Sequence, residues 1–90
     1  MKIKSGFVLE EVGGDYLAVA VGERAKEFSG FVRLNSVGAY FWKLMADSHV
    51  TKEELIKKAV ADFNGVTAEQ ISGDLDNLIK AFRDGGLIEE

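Results

Sequence analysis

The chain contains no cysteine and no proline, and it has a single histidine among its 90 residues. Disulfide bonds, cysteine nucleophiles and iron–sulfur ligation are excluded, because each of them needs a thiol. Zinc sites of the finger or ribbon type need four Cys or His ligands, which one histidine does not supply. Any metal chemistry would therefore have to be carboxylate-based; we name no metal site and no cofactor, and the fold must be stabilised by packing alone.

Charge and hydropathy argue against two further classes. Eleven Lys and Arg against fifteen Asp and Glu give a net charge of −4, whereas nucleic-acid binders usually carry a basic face. No apolar run approaches the roughly 18 residues needed to span a bilayer, and the first residues do not resemble a signal peptide. We expect a cytoplasmic protein with one domain, residues 1–90, that binds neither nucleic acid nor a membrane.

The first third of the chain has the residue pattern of β-strands. Residues 7–12 and 16–21 are rich in β-branched and aromatic residues, and Gly13-Gly14 between them fits a two-residue hairpin turn. This register pairs Val12 with Asp15 and produces two faces. We expect the uniformly aliphatic face to be buried and the other to be a partly exposed apolar patch. The first comprises Val8, Val12, Leu17, Val19 and Val21; the second includes Phe7, Leu9 and Tyr16.

A third strand is predicted at Phe31–Leu34, after a polar segment, residues 22–30, that we expect to be a solvated loop. The strand is short and lies between a glycine and a helix cap, so we expect it at a sheet edge. An edge strand leaves backbone N–H and C=O groups unpaired, and an extended peptide can pair with them. The candidate peptide-binding residues on this strand are Phe31, Val32, Arg33 and Leu34.

From Asn35 onward the apolar residues recur with the helical period of 3.6. Asn35 or Ser36 caps a first helix, and capping boxes that begin at Thr51 and Thr67 precede a second and a third. The order predicts an α+β fold: a three-stranded antiparallel sheet followed by three helices, winged-helix-like. The apolar positions of the helices are Val37, Tyr40, Phe41, Leu44 and Met45; Leu55, Ile56, Ala59, Val60 and Phe63; and Ile71, Leu75, Leu78, Ile79 and Phe82.

Trp42 lies outside the apolar stripe of the first helix and has two interpretations. It covers one end of the hairpin or packs under Leu87-Ile88, or else it contacts a partner protein, since Trp is enriched at interface hot spots. In the second case, the hairpin patch would extend the same contact surface. The partner-contact candidates are Trp42, Phe7, Leu9 and Tyr16.

The third helix carries a flank that mixes apolar and charged side chains. Such a flank suits the wall of a peptide groove beside the third strand, although an ordinary amphipathic helix has the same pattern. The candidate residues for this wall are Ser72, Asp76, Ile79 and Arg83.

No catalytic constellation is recognisable in the sequence. His49 falls in a predicted loop between helices, and the paired glutamates are sequence neighbours whose side chains point in different directions. Gly13-Gly14 is not followed by the Lys-Ser/Thr of a phosphate-binding loop. Because no nucleophile stands near a base, we name no catalytic residue and expect the protein not to be an enzyme.

One stretch resembles a known family. Residues 34–47 fit the pattern L-N-x-x-[AG]-A-x-x-W-x-L-[LM]-x-[DG] of PqqD-like proteins, the peptide chaperones named after pyrroloquinoline quinone biosynthesis. Residues 51–56, 70–78 and 86–88 extend the resemblance, which covers residues 7–88. It implies a winged-helix-like recognition element, without catalytic activity, for ribosomally synthesised and post-translationally modified peptides.

The resemblance also implies a binding mode and partners. The leader segment of a precursor peptide would be added as a strand against Phe31–Leu34, with the mixed flank of the third helix as the other wall. A modifying enzyme, often a radical S-adenosylmethionine protein, would then act on the presented peptide. The chain departs from the family at Ser48, where many relatives have Gly, and in lacking a Pro-containing loop. These departures favour a peptide pathway other than that of pyrroloquinoline quinone.

Two further possibilities remain at this stage. A winged-helix DNA-binding or transcription-regulatory module would need cations at the start of its recognition helix, but Glu69, Asp74 and Asp76 precede the first one, Lys80. A structural or regulatory subunit could dock through Trp42 and the hairpin patch, and this role is compatible with peptide binding. The exposed sheet edge and hairpin face also favour self-association into a homodimer.

Overall fold

The structure of the protein is a computed structural model that describes residues 1–28 and 30–90. Ser29, which belongs to the predicted polar segment, lies outside the described residues. The described residues form β1 (Lys2–Ile3), β2 (Phe7–Val12), β3 (Asp15–Ala20), α1 (Arg24–Glu27), β4 (Phe31–Leu34), α2 (Ser36–Asp47), α3 (Lys52–Asp62), α4 (Ala68–Asp84) and β5 (Ile88–Glu89).

The main sheet is antiparallel and has the strand order β2-β3-β4. Gly13 and Gly14 form the turn between β2 and β3 with φ of 59° and 88°, values that are favourable only for glycine. Val12 pairs with Asp15, as the sequence predicts. The α+β fold class and the hairpin register are therefore confirmed.

The two ends of the chain form a second, two-stranded sheet. β1 pairs with β5, with Ile3 opposite Ile88, and both side chains are buried. Leu87 and Ile88 therefore pack onto the core, and their pairing with β1 was not predicted. The Met1 ammonium also donates to the carbonyl of Val50 at 3.0 Å, which fixes the N-terminus beside the segment that precedes α3.

The helix starts follow the predicted capping signals. The Asn35 side chain accepts a hydrogen bond from the Gly38 N–H at 2.8 Å and caps α2. Both capping boxes form, at Thr51 for α3 and at Thr67 for α4. The short α1 was not predicted, because its four residues carry no buried side chain and hence no apolar pattern.

The core lies between one face of the main sheet and the three long helices. Residues from both ends of the chain and from all three long helices contribute to a single cluster. The buried members are Ile3, Ala18, Leu34, Ala39, Phe41, Trp42, Met45, Leu55, Ala59, Ile71, Leu75, Ile79, Phe82, Leu87 and Ile88.

The hairpin face predicted to be buried is in fact the outer one. Val8 and Val12 are 43% and 55% exposed, whereas Ala18 and Ala20 on the opposite face are buried. Small side chains allow a helix to approach a sheet closely, and the alanines lie where α2 packs on β3. The expected exposed patch of Phe7, Leu9 and Tyr16 is therefore half-buried against the core.

The buried face of α2 is rotated relative to the predicted stripe, toward Gly38, Ala39 and Trp42. Trp42 is 2% exposed, and its ring packs edge-on against Phe7 at 5.6 Å and Phe82 at 5.3 Å between centroids. Val37, the first residue of the predicted stripe, is 44% exposed. The interpretation of Trp42 as a core residue that covers one end of the hairpin is confirmed.

Among the described helices, none has the combination of length and apolar composition that a bilayer-spanning segment requires.

Candidate functional site

The edge of the sheet at β4 is the first feature of the candidate site. Within the described part of the chain, β4 pairs on one side only, with β3. The hydrogen-bonding direction of its residues follows from the alternation of an antiparallel ladder. The Val21 N–H donates to the Gly6 carbonyl at 2.8 Å, just beyond the end of β3. Counting back from Val21 in steps of two, the residues of β3 whose backbone groups bond to β2 are Val19, Leu17 and Asp15.

The intervening residues of β3 point their backbone groups toward β4. These residues are Tyr16 and Ala18, which stand opposite Leu34 and Val32. Leu34 and Val32 are therefore bonded to β3, and the N–H and C=O of Phe31 and Arg33 point away from the sheet. The edge offers two donors and two acceptors to an added strand.

The side chains of β4 divide between the two faces of the sheet. Leu34 is buried and Val32 half-buried on the inner face, while Phe31 is 60% exposed on the outer face. Arg33, also on the outer face, donates to an Asp15 carboxylate oxygen at 2.5 Å. This hydrogen bond raises the pKa of Arg33 above its ordinary value, so the residue stays charged and is neutralised by its partner.

A groove continues from the end of β4 between the start of α2 and the middle of α4. A cavity of about 340 Å³ and an apolar one of about 130 Å³ share the side chains of Val37, Phe41 and Asp74. The larger is also lined by Asn77 and Leu78 of α4. The Asp74 carboxylate forms no ion pair with another described residue, so it can accept a hydrogen bond from a ligand.

The predicted helical wall lies on the other side of α4. Asp76, Ile79 and Arg83 line a cavity of about 310 Å³ together with Met1 and Lys52, away from β4. Asp76 pairs with Lys52 at 2.5 Å, and Arg83 pairs with Glu90 at 2.7 Å.

Helical geometry explains why this flank does not reach β4. Successive residues of a helix are about 100° apart, which puts Asp76, Ile79 and Arg83 roughly opposite the side that carries Asp74, Asn77 and Leu78. Ser72 is half-buried on the same side as Asp76, one turn earlier. The α4 residues that share a cavity with Asn35, directly after β4, are therefore different from the predicted set, and Ile79 itself is buried in the core.

The partner-contact candidates from the hairpin also lie on the inner face. Phe7 and Leu9 border a cavity of about 320 Å³ between β2 and the end of α2, which Trp42 and Lys43 also line. The Trp42 ring is almost fully enclosed, so it presents little surface to a partner. Tyr16 is half-buried beneath the Lys43 ammonium, which lies 5.3 Å from the ring centroid.

The other polar groups of the molecule fit structural roles. The Tyr40 hydroxyl donates to Asp62 at 2.5 Å and links α2 to the end of α3. Burial together with this hydrogen bond raises the pKa of Tyr40, and the same bond lowers the pKa of Asp62. His49 is exposed. Within residues 1–28 and 30–90, no cluster of three or more His, Asp or Glu side chains is arranged to hold a metal ion.

A sequence model of the family described as Coenzyme PQQ synthesis protein D (PqqD) matches residues 6–88. The chain belongs to the PqqD family. No curated protein matches its sequence.

A solved structure shares the fold of this PqqD family member. The structure, "TbiB1 in Complex with the TbiA(beta) Leader Peptide", superimposes with a TM-score of 0.73 and 20% sequence identity. The alignment covers 99% of this chain and 95% of TbiB1. TbiB1 therefore has the same arrangement of strands and helices along nearly its whole length.

Proposed function

We propose that residues 1–90 act as one peptide-recognition domain that binds the leader segment of a precursor peptide. The peptide is added as a strand to the free edge of β4. Its inward side chains enter the groove between the start of α2 and the middle of α4. The observation that carries this proposal is the free edge at Phe31 and Arg33, on a strand that ends at a groove lined by apolar and polar side chains. The PqqD family and the fold shared with leader-bound TbiB1 support it.

The edge at β4 suits an added strand better than the other edge of the main sheet. By the same alternation, β2 directs the backbone groups of Phe7, Leu9 and Glu11 outward. Two adjacent exposed carboxylates, Glu10 and Glu11, lie on that edge, and charges on an edge strand oppose the addition of a further strand. At β4 the single charge is already neutralised by Asp15.

The domain acts on the peptide by binding and presentation, and the chemistry belongs to a modifying enzyme. The resemblance implies that this partner is a radical S-adenosylmethionine protein. DNA recognition is disfavoured because the exposed side chains in the first half of α4 include Glu69, Asp74 and Asp76, which would repel phosphate groups.

The proposal is tested by NMR with isotope-labelled protein. The probe is a set of synthetic peptides that cover the short precursor encoded beside the gene of this chain. We expect amide shift changes at residues 31–35 and 74–78. Lys52 and Arg83, which line the cavity on the other flank of α4, should change little. If the shifts cluster at Lys52, Arg83 and Met1, the other flank of α4 is the binding wall. If no peptide binds, the proposal is wrong.

A further inference from the structure

The outer face of the main sheet carries a cavity that the groove does not include. It has a volume of about 200 Å³ and lies beside the free edge. Its lining consists of Val12, Asp15, Leu17, Phe31 and Arg33. These residues come from all three strands, so the cavity extends across the sheet from β4 to β2.

We propose that this outer cavity is a second recognition subsite, which takes a long or aromatic apolar side chain of the peptide bound at β4. The inference rests on the proposed strand addition and deepens it. Recognition would then depend on both faces of the added strand, the inner residues reaching the α2–α4 groove and the alternate residues lying over the outer cavity.

The geometry of the edge supports this occupant. Phe31 and Arg33 supply both the free backbone groups of the edge and two walls of the cavity. In an antiparallel pair, residues that stand opposite each other have side chains on the same face. The side chains of the peptide residues opposite Phe31 and Arg33 therefore lie over the outer face of the sheet. Long and aromatic side chains also reach diagonal neighbours, so the peptide residue opposite Arg33 can contact the Phe31 ring as well.

The chemistry of the lining indicates what the subsite accepts. Phe31 and Val12 are 60% and 55% exposed, and together with half-buried Leu17 they form an apolar floor and side. The rim is the Arg33–Asp15 ion pair, in which each charge neutralises the other. A charged peptide side chain would find no unpaired counter-charge there, whereas an apolar one would cover exposed carbon and gain hydrophobic stabilisation.

The test measures dissociation constants for the precursor peptide and for its single-alanine variants. Phe31→Ser is expected to weaken binding about tenfold, which corresponds to about 1.4 kcal/mol. Val8→Ser is the matched control, because Val8 is 43% exposed on the same face but lies outside the cavity. We expect this control to stay within about twofold of the wild type.

The peptide variants identify the occupant by coupling. The peptide residues opposite Phe31 and Arg33 are two positions apart. Changing the one whose side chain fills the cavity to alanine should weaken binding to the wild-type protein. That alanine peptide should bind Phe31→Ser and the wild type equally, because the contact is already absent. If instead Phe31→Ser binds the intact peptide as tightly as the wild type, the subsite is refuted. The proposed function would still stand if the peptide changes the amide NMR shifts of residues 31–35.

Two further outcomes would overturn the inference. If no peptide binds the wild type, the proposed function and the subsite fail together. If Phe31→Ser alters only the oligomeric state in sedimentation and leaves the peptide Kd unchanged, the cavity serves contacts between copies of the chain.

Discussion

Replacing Arg33 by proline tests the assignment of backbone groups at the β4 edge. Proline removes the N–H of residue 33, which points away from the sheet, and leaves the ladder between β3 and β4 intact. Arg33→Ala is the matched reference, since both variants lose the ion pair with Asp15 but alanine keeps the N–H.

The magnitude follows from the hydrogen bonds that an added strand would make. Phe31 and Arg33 offer two donors and two acceptors, each bond contributing about 0.5–1.5 kcal/mol net. A peptide carbonyl left unsatisfied at the edge costs about 1–3 kcal/mol, so Arg33→Pro should bind the leader peptide roughly 5 to 150 times more weakly than Arg33→Ala. Fluorescence polarisation of a labelled peptide measures both affinities.

A proline one residue earlier, at position 32, should instead lower the stability of the protein. The N–H of Val32 bonds to Ala18 of β3, so Val32→Pro should lower the free energy of unfolding by about 1–3 kcal/mol relative to Arg33→Pro, as measured in urea. Equal peptide affinities for folded Arg33→Pro and Arg33→Ala would refute the reasoning, as would a loss of stability at residue 33 that matched the loss at residue 32.

Three other predictions address the core, the groove and a polar link between helices. Trp42→Ala should lower the free energy of unfolding by about 3–5 kcal/mol in urea, because the ring is enclosed by the core; a loss below about 1 kcal/mol would contradict this. Asn77→Arg should weaken peptide binding by about tenfold or more through crowding of the groove, whereas Asp76→Arg on the opposite flank should not, and equal effects would place the groove elsewhere. Tyr40→Phe should be less stable than the wild type at neutral pH. Since the hydrogen bond lowers the folded-state pKa of Asp62, that difference should shrink as the pH falls through this pKa, and a constant difference in urea unfolding would refute the link.

The parts of the fold that could be predicted are those with local causes. Thr51 and Thr67 fix their helix starts through side chains three residues away, and Gly13-Gly14 fixes the hairpin register. These signals act within a few residues of sequence, so they do not depend on what packs against them. The short pairing of β1 with β5 joins opposite ends of the chain and leaves no such local signal.

The buried face of the hairpin could not be read from hydrophobicity, because both faces are apolar. The decision depends on the close approach of α2, which favours Ala18 and Ala20 over the larger valines of the other face. Because the valine face of the hairpin was expected to be buried, a cavity on that face could not be predicted. It forms the outer cavity beside Phe31.

The edge position of the strand was predicted from the sequence, whereas the α4 residues proposed above for the groove wall differ from those predicted. Phe31–Leu34 was identified as an edge because its length and flanking residues are local properties. Which side of α4 lies beside Asn35 and the start of α2 depends on how the helices pack. The pattern of Asp74, Asn77 and Leu78 is no more distinctive in sequence than that of Asp76, Ile79 and Arg83, so only the packing separates them.

The most direct test of strand addition at β4 is the set of intermolecular NOEs between isotope-labelled protein and unlabelled leader peptide. The account predicts NOEs from peptide backbone protons to the amide protons of Phe31 and Arg33, with peptide side-chain contacts to Leu78 in the groove. NOEs confined to the outer edge of β2, at Leu9 and Glu11, or to the flank of α4 that carries Asp76, would contradict it.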